Sequence, residues 1–429
     1  MKKSILWICL LLFGVLFACH DDDNACLEVP VAEEDIWFTP VSGGAVMHYR
    51  VSGPTDVYAV CARYTDAQGK KMTVSSSVYQ DTLVLLGFNE ARESVPVEIV
   101  FTDKNNVESA PVYRTFSTLV SGPYAFLDGV EMEEAWNGVN LRFNYDGEAT
   151  GLINVYYVGK NAYTQKTDTL FASNMSIVKE KKEAFFGINF DHDENTVVVE
   201  VEDYRGYVAH RKVWTGVKNF ASEMLPVSEF ELKDPGNWSL EDPLQEFGIK
   251  YLTDGDKKGY KRLATGNSNV YYTYCTKNGA KGSYVLVDMK QARVPASVRL
   301  YSLFNLTEAS IYWNDPFYMN YDDRLPSDIK VYGSNDEEDW ALLGSYYTYP
   351  YESAANGWGN SYVGPLKTRT QMDLVDPRYC EIVFKLGEDA YRFLKVQVDG
   401  TFSKNSGLWA NTKENISYHE LEVYVKKED

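Results

Sequence analysis

Apolar residues alternate with polar ones along most of this chain in short runs, and no long stretch keeps a helical period. An alternating run buries one face of a strand and solvates the other. A chain made of such runs must stack or close its sheets to hide the apolar faces. Residues 45–51, 57–64, 83–86, 95–101 and 112–116 read as strands. Between them lie Ser52-Gly53-Pro54, Ala67-Gln68-Gly69 and Lys104-Asn105-Asn106, whose Gly, Pro and Asn take turn dihedrals that strand residues avoid. The expectation is an all-β protein.

This spacing is that of an Ig-like or fibronectin-like sandwich. The unit also repeats. Val97-Glu98-Ile99-Val100-Phe101-Thr102-Asp103 has a counterpart in Val197-Val198-Val199-Glu200-Val201-Glu202-Asp203, an offset of about one Ig-like domain. With Ser121-Gly122-Pro123 as a hinge, the expected layout is an Ig-like β-sandwich over 31–121 and a second Ig-like or fibronectin-like sandwich over 122–220. One larger β domain would satisfy the same alternation. Pro226 and Pro235-Gly236 break the chain at the entry to a third unit, 221–429.

The beginning of the chain has a different character. Lys2 and Lys3 precede an apolar run over residues 5–17, too short for a spanning helix, which takes about 20 residues. The run ends in Leu16-Phe17-Ala18-Cys19, which resembles a bacterial lipobox, although Phe17 is bulkier than is usual there. The resemblance implies a lipoprotein signal peptide over 1–18 and lipidation of Cys19, with more than one acyl chain to hold the membrane. Residues 19–30 then form a lipidated acidic tether. Its His20-Asp21-Asp22-Asp23-Asn24 resembles the export signal of Bacteroidetes surface lipoproteins, and the plain alternative is a solvated acidic spacer. Together these imply an outer-membrane protein, lipid-anchored and facing the cell exterior.

Charge narrows the partners. The chain has 61 acidic against 42 basic residues, net −19. Such a surface repels polyphosphate, so no nucleic acid is expected as a partner, while neutral glycans meet no such obstacle. Beyond the anchor, Cys26, Cys61, Cys275 and Cys380 have no CxxC spacing. Either Cys26–Cys61 and Cys275–Cys380 pair, as an oxidising export route permits, or all four are buried free thiols. His20, His48, His192, His210 and His419 form no H-E-x-x-H pair. No G-x-S-x-G elbow, P-loop or G-x-G-x-x-G is present. A glycosidase needs only two facing carboxylates, but runs such as Asp336-Glu337-Glu338-Asp339 read as solvated turns. No enzyme is expected.

In the third unit, Arg324-Leu325-Pro326-Ser327-Asp328-Ile329-Lys330-Val331-Tyr332-Gly333-Ser334-Asn335-Asp336, followed by Asp339-Trp340-Ala341-Leu342-Leu343-Gly344, resembles the discoidin or coagulation-factor type C module. That resemblance implies a galactose-binding-like jelly roll. Ile329 and Val331 would face its core, and Trp340 would open the next strand and pack into the sandwich. Tyr251-Leu252-Thr253-Asp254-Gly255-Asp256 resembles an early loop of the module, and Ile416 to Tyr424 its last strand. The resemblance implies structural Ca²⁺ on Asp254, Asp256 and Glu420, hard oxygen ligands suited to it. Lys258-Gly259-Tyr260 stands where the module usually has a Trp, which leaves a solvated turn as the other reading.

Anchor, Ig-like modules and discoidin-like module together resemble surface lipoproteins of polysaccharide-utilisation loci. Jelly rolls of this kind meet ligands on loops, where rings stack on sugar C–H faces and polar groups choose among hydroxyls. Aromatic loop segments point to Trp313, Trp358 and Trp409 as platforms, with Arg324 and Asn360 as polar partners. Gly357 and Gly359 leave Trp358 free to project. Each Trp could instead plug the core. The expected function is carbohydrate binding without catalysis. A structural or interaction protein in an outer-membrane transporter complex is the alternative, and a divergent hydrolase is a third class.

Overall fold

The computed structural model describes residues 27, 33–51, 56–265, 270–304, 321–349, 357–359, 366, 368–402 and 414–428. Cys19, Cys26, Trp313, Asn360 and Trp409 lie outside the described residues. The chain is all-β, with antiparallel sheets throughout. It divides into two compact units. One comprises Met1–Met132, Leu141–Ala184 and Thr196–Thr215; the other comprises Glu133–Asn140, Phe185–Asn195 and Gly216–Asp429.

The first strands are β1 (Ile36–Val41), β2 (Gly44–Tyr49), β3 (Ala59–Thr65), β4 (Lys71–Ser77), β5 (Thr82–Leu86), β6 (Arg92–Thr102) and β7 (Val112–Thr118). They form sheets of order β1-β2-β5 and β4-β3-β6-β7. Ala45, Met47, Leu83 and Leu85 of one sheet share a core with Val60, Ala62, Val97, Ile99 and Phe116 of the other, as alternation requires.

The next strands are β8 (Val130–Ala135), β9 (Gly138–Phe143), β10 (Leu152–Lys160), β11 (Thr167–Ser176), β12 (Glu183–Gly187), β13 (Glu194–Glu202) and β14 (Val208–Lys218). Their sheets, β12-β9-β8 and β11-β10-β13-β14, repeat the same order.

The repeat extends to single turns. Asp103 accepts the backbone N–H groups of Asn105 and Val107 on Oδ1, at 2.8 Å each, and its own N–H reaches the Val107 carbonyl at 3.1 Å. Asp203 does the same with Arg205 (2.8 Å), Tyr207 (3.2 Å) and the Tyr207 carbonyl (2.9 Å). An Asx-type turn thus closes β6–β7 and β13–β14 alike.

The remaining strands are β15 (Ser222–Met224), β16 (Glu231–Lys233), β17 (Tyr274–Cys275), β18 (Tyr284–Arg293), β19 (Pro295–Tyr301), β20 (Pro326–Ser334), β21 (Ala341–Tyr347), β22 (Tyr379–Val383), β23 (Tyr391–Thr401), β24 (Ser417–Tyr418) and β25 (Leu421–Lys426). A four-stranded sheet, β15-β25-β19-β22, faces a five-stranded one, β16-β18-β23-β20-β21, across one core. Ile329 and Val331 enter that core, as the motif implied.

Trp340 does not. It is half-buried on the outer face of the five-stranded sheet, its ring 4.5 Å from Lys395 Nζ, on the side away from the buried Leu394 and Val396. The acidic turn before it explains the position. The indole Nε1 donates to the Glu337 carbonyl at 3.1 Å, which folds the ring back over the sheet surface.

Cys61, Cys275 and Cys380 are buried free thiols, so the Cys275–Cys380 bridge does not form. Burial pushes the Cys275 thiol up to about 12, which leaves it protonated and inert.

Candidate functional site

Trp358 is 3% exposed and belongs to the jelly-roll core. Its Nε1 donates to the Pro326 carbonyl at 3.0 Å, so ring and polar handle are both consumed inside. It cannot serve as a sugar platform. Arg324 is half-buried at the end of a short helix, Tyr321–Arg324.

Asp254, Asp256 and Glu420 come together where the early loop meets the last strand. Glu420 Oε1 accepts the Gly255 N–H at 3.0 Å, while Oε2 is buried without a hydrogen-bond partner among the described residues. Burial above all, with Asp254 and Glu422 nearby, pushes the Glu420 carboxyl up to about 8. Asp254 shares Oδ2 with Lys261 Nζ at 2.7 Å. Asp256 spends both oxygens on the Tyr260 and Lys261 N–H groups, at 2.7 Å each, and so caps the helix Tyr260–Thr265. Its carbonyl faces His419 Nε2 at 2.6 Å. Among the described residues no three His, Cys, Asp or Glu side chains are gathered to hold a metal. Glu420 Oε2 fits an oxygen-liganded cation; Asp254 joins it only by giving up Lys261 Nζ, because its Oδ1 already accepts the Asp256 N–H at 2.9 Å, and the Asp256 carboxylate is spent as a cap.

A concavity of this unit lies elsewhere, over the outer face of the four-stranded sheet. It measures about 720 Å³ and is lined by Trp136, Asn137, Asn140, Phe185, Asn189, Ser222, Ser297, Arg299, Glu381, Val383 and Tyr424, among others. Its size suits a small ligand. Alternation on β19, β22 and β25 sets its floor. Val298, Leu300, Ile382 and Val423 turn into the core, so Ser297, Arg299, Glu381 and Tyr424 turn outward.

Arg299 is the centre of that floor. Its guanidinium lies 4.8 Å from the Tyr379 ring and 4.4 Å from the Tyr424 ring, and donates to the Tyr424 hydroxyl at 2.8 Å. Glu381 pairs with it at 3.1 Å and accepts the Ser297 hydroxyl at 2.9 Å. Beside them Glu422 pairs with Lys257 and accepts from Tyr301 (2.7 Å) and Tyr424 (3.1 Å). The charge of Lys257 and these hydroxyl bonds outweigh burial and hold the Glu422 carboxyl below its usual value. Burial pushes the Tyr424 phenol up to about 12, so it stays a neutral donor.

The wall is anchored. Trp136 Nε1 donates to the Phe384 carbonyl at 3.0 Å, and the Asn137 amide exchanges bonds of 2.7 and 2.8 Å with Ser222. Phe185, 56% exposed, and Val383, 57% exposed, offer apolar surface next to these amides. None of these residues stands in a recognisable motif. Only the alternation on β19 and β22 hinted that Arg299 and Glu381 face outward.

Among solved structures the chain is similar to a SusE-like protein, BT2857, at 12% identity over 70% of this chain and 97% of that one, with a TM-score of 0.34. It is similar to CBM32-3 from a family 31 glycoside hydrolase of Clostridium perfringens, at 14% identity over 48% of this chain and 95% of that one, with a TM-score of 0.28. A third likeness is to the lectin domain of lectinolysin complexed with Lewis B antigen, at 11% identity over 46% and 92%, with a TM-score of 0.24. No curated protein matches the chain. Residues 30–118, the first sandwich, match a family described as a domain of unknown function, DUF4959.

Proposed function

We propose that this protein binds carbohydrate without catalysis, as a lipid-anchored protein of the outer membrane facing the cell exterior. The carrying observation is the crevice of about 720 Å³, where apolar Phe185 and Val383 stand beside the fixed amide of Asn137, the Asn140 side chain and the Arg299–Glu381 pair. Sugars present both an apolar C–H face and hydroxyls, and this lining answers both. Hydrolysis in this crevice is disfavoured because a glycosidase needs two facing carboxyls, and Glu381, ion-paired with Arg299, is the one carboxylate among the described residues that line it.

The test is affinity electrophoresis and calorimetry of the full chain on neutral polysaccharides, with Phe185→Ala and Asn140→Ala. Each substitution should weaken binding by about tenfold, the effect of losing one stacking or paired polar contact. Failure of every glycan to bind, or unchanged binding by both variants, removes the reading.

Trp313, Trp409 and Asn360, with Arg324, remain proposed as further loop contacts, to be tested by alanine substitution in the same assay. We also propose that Glu420 and Asp254 hold a structural calcium, whose charge would offset the buried Glu420 carboxylate. Chelation should then lower the melting temperature by several degrees, and an unmoved melting temperature ends the idea.

A protein partner, such as a transporter subunit, is the second reading. The outer face of β1-β2-β5 favours it, with Trp37 (40% exposed) and Val84 (51%) unburied. Trp37→Ser should abolish co-purification of an outer-membrane complex if that face is the docking surface.

A further inference from the structure

Several cations on the outer faces of the jelly roll are paired with acids. Lys233 and Arg392 share Asp288, Lys330 holds Asp399, Arg299 holds Glu381 and Lys257 holds Glu422. Lys395 is different. It stands mid-strand on β23, half-buried, and its ammonium has no carboxylate within ion-pair distance among the described residues. Aromatic rings surround it instead: Trp340 at 4.5 Å, Tyr332 at 4.6 Å and Tyr284 at 5.6 Å. Trp238 continues the row, 4.9 Å from Tyr284, and Leu342, 58% exposed, sits opposite Tyr332 on β21.

These residues come from separate segments, and sheet order makes them neighbours. Tyr332 on β20 lies directly across from Lys395, with Tyr284 on β18 at the opposite flank. Gly236 is required for the row: a Cβ there would sit 2.2 Å from the Trp238 indole, which lies flat over it. Burial alone lowers the Lys395 ammonium below the usual lysine value, with no acid to offset it. Desolvating a cation without an anion is unfavourable, and ring faces return only part of that cost. In a chain of net −19, an unpaired ammonium ringed by aromatics suits an anion brought by a ligand.

We infer that this outer face is a second binding surface, for a glycan whose pyranose carries a carboxylate. The sugar ring lies on Trp340 and Tyr332, its carboxylate on Lys395 Nζ, and the Tyr284 and Tyr332 hydroxyls meet its neighbouring hydroxyls. The acidic turn Asp336-Glu337-Glu338-Asp339 beside Trp340 selects against polyphosphate and densely sulfated chains, leaving an isolated carboxylate as the anion that fits. The inference borrows from the proposed function only the class of ligand; the two surfaces share no residue.

The experiment is calorimetry on the full chain with otherwise neutral oligosaccharides that carry a single galacturonate, glucuronate or mannuronate residue, each against its methyl ester, which keeps the ring and removes the charge. At least one acid form should bind ten times more tightly than its ester. Lys395→Met, which keeps the stem and loses the ammonium, should erase that preference and leave neutral-glycan binding intact. Trp340→Ala should weaken acid and ester alike. Circular dichroism and denaturant midpoints check that both variants fold. If no acid form is preferred over its ester, or Lys395→Met retains the preference, the inference falls. The crevice reading is judged separately, on neutral glycans with Phe185→Ala.

Discussion

Among the tryptophans, what decides whether an indole is free for a ligand is where its N–H finds an acceptor. Trp358 is flanked by glycines and looks free to project, but its N–H goes to the Pro326 carbonyl and the ring closes the core. Trp358→Ala should therefore cost about 3–5 kcal/mol in denaturant unfolding, the usual cost of emptying such a site. A loss under 1 kcal/mol would contradict the plug. Asp288 is the clearest electrostatic case, bonded by Arg392 at 2.9 and 3.1 Å, Lys233 at 2.8 Å and the Lys290 N–H at 2.9 Å. Arg392 above all, then Lys233, outweigh burial and hold its carboxyl well below the usual carboxylate range. A folded pKa below the unfolded value, about 3.9, means full stabilisation above that pH and its loss as pH falls further. Asp288→Asn should lower stability at pH 7 by about 1–3 kcal/mol and flatten the acid limb of the stability–pH curve. An unchanged acid limb would show that other carboxylates carry it. The charged partners of Asp288, Lys233 and Arg392, lie on β16 and β23, so no charge near it in sequence announces this role.

The two N-terminal sandwiches resemble each other at the level of elements more than of residues. Gly44 opens β2 and Gly138 opens β9, after Gly43 (φ +74°) and Asn137 (φ +58°) in the left-handed region. A Cβ on Gly44 would sit 1.9 Å from the Leu85 carbonyl, and one on Gly138 2.1 Å from the Phe186 carbonyl. Both glycines let β2 and β9 approach β5 and β12 at the same place in each sandwich. Gly44→Ala and Gly138→Ala should each cost roughly 1–3 kcal/mol, read as equal falls in denaturant midpoint. A large effect at one and none at the other would argue against equivalent hairpins. The repeat was legible in sequence through Asp103 and Asp203, because an Asx-type turn is local and needs only its own next few residues. The paired glycines were not, because their reason is a carbonyl on a distant strand.

For the whole molecule, two compact units, each with its own buried residues, predict unfolding in more than one step. Calorimetry should give a van't Hoff enthalpy below the calorimetric one, and equality of the two would mean a single cooperative block. The all-β class, the paired turns at Asp103 and Asp203 and the core positions of Ile329 and Val331 could be read directly, since alternation and turn dihedrals follow from each residue's own sterics. Tertiary structure alone decided which outward side chains meet. Arg299, Glu381, Tyr424 and Phe185 line one crevice, and Lys395 gathers Tyr284, Tyr332 and Trp340, because antiparallel sheet order joins distant segments. Local pattern says which face of a strand a side chain takes; only the packing of strands says what stands beside it there.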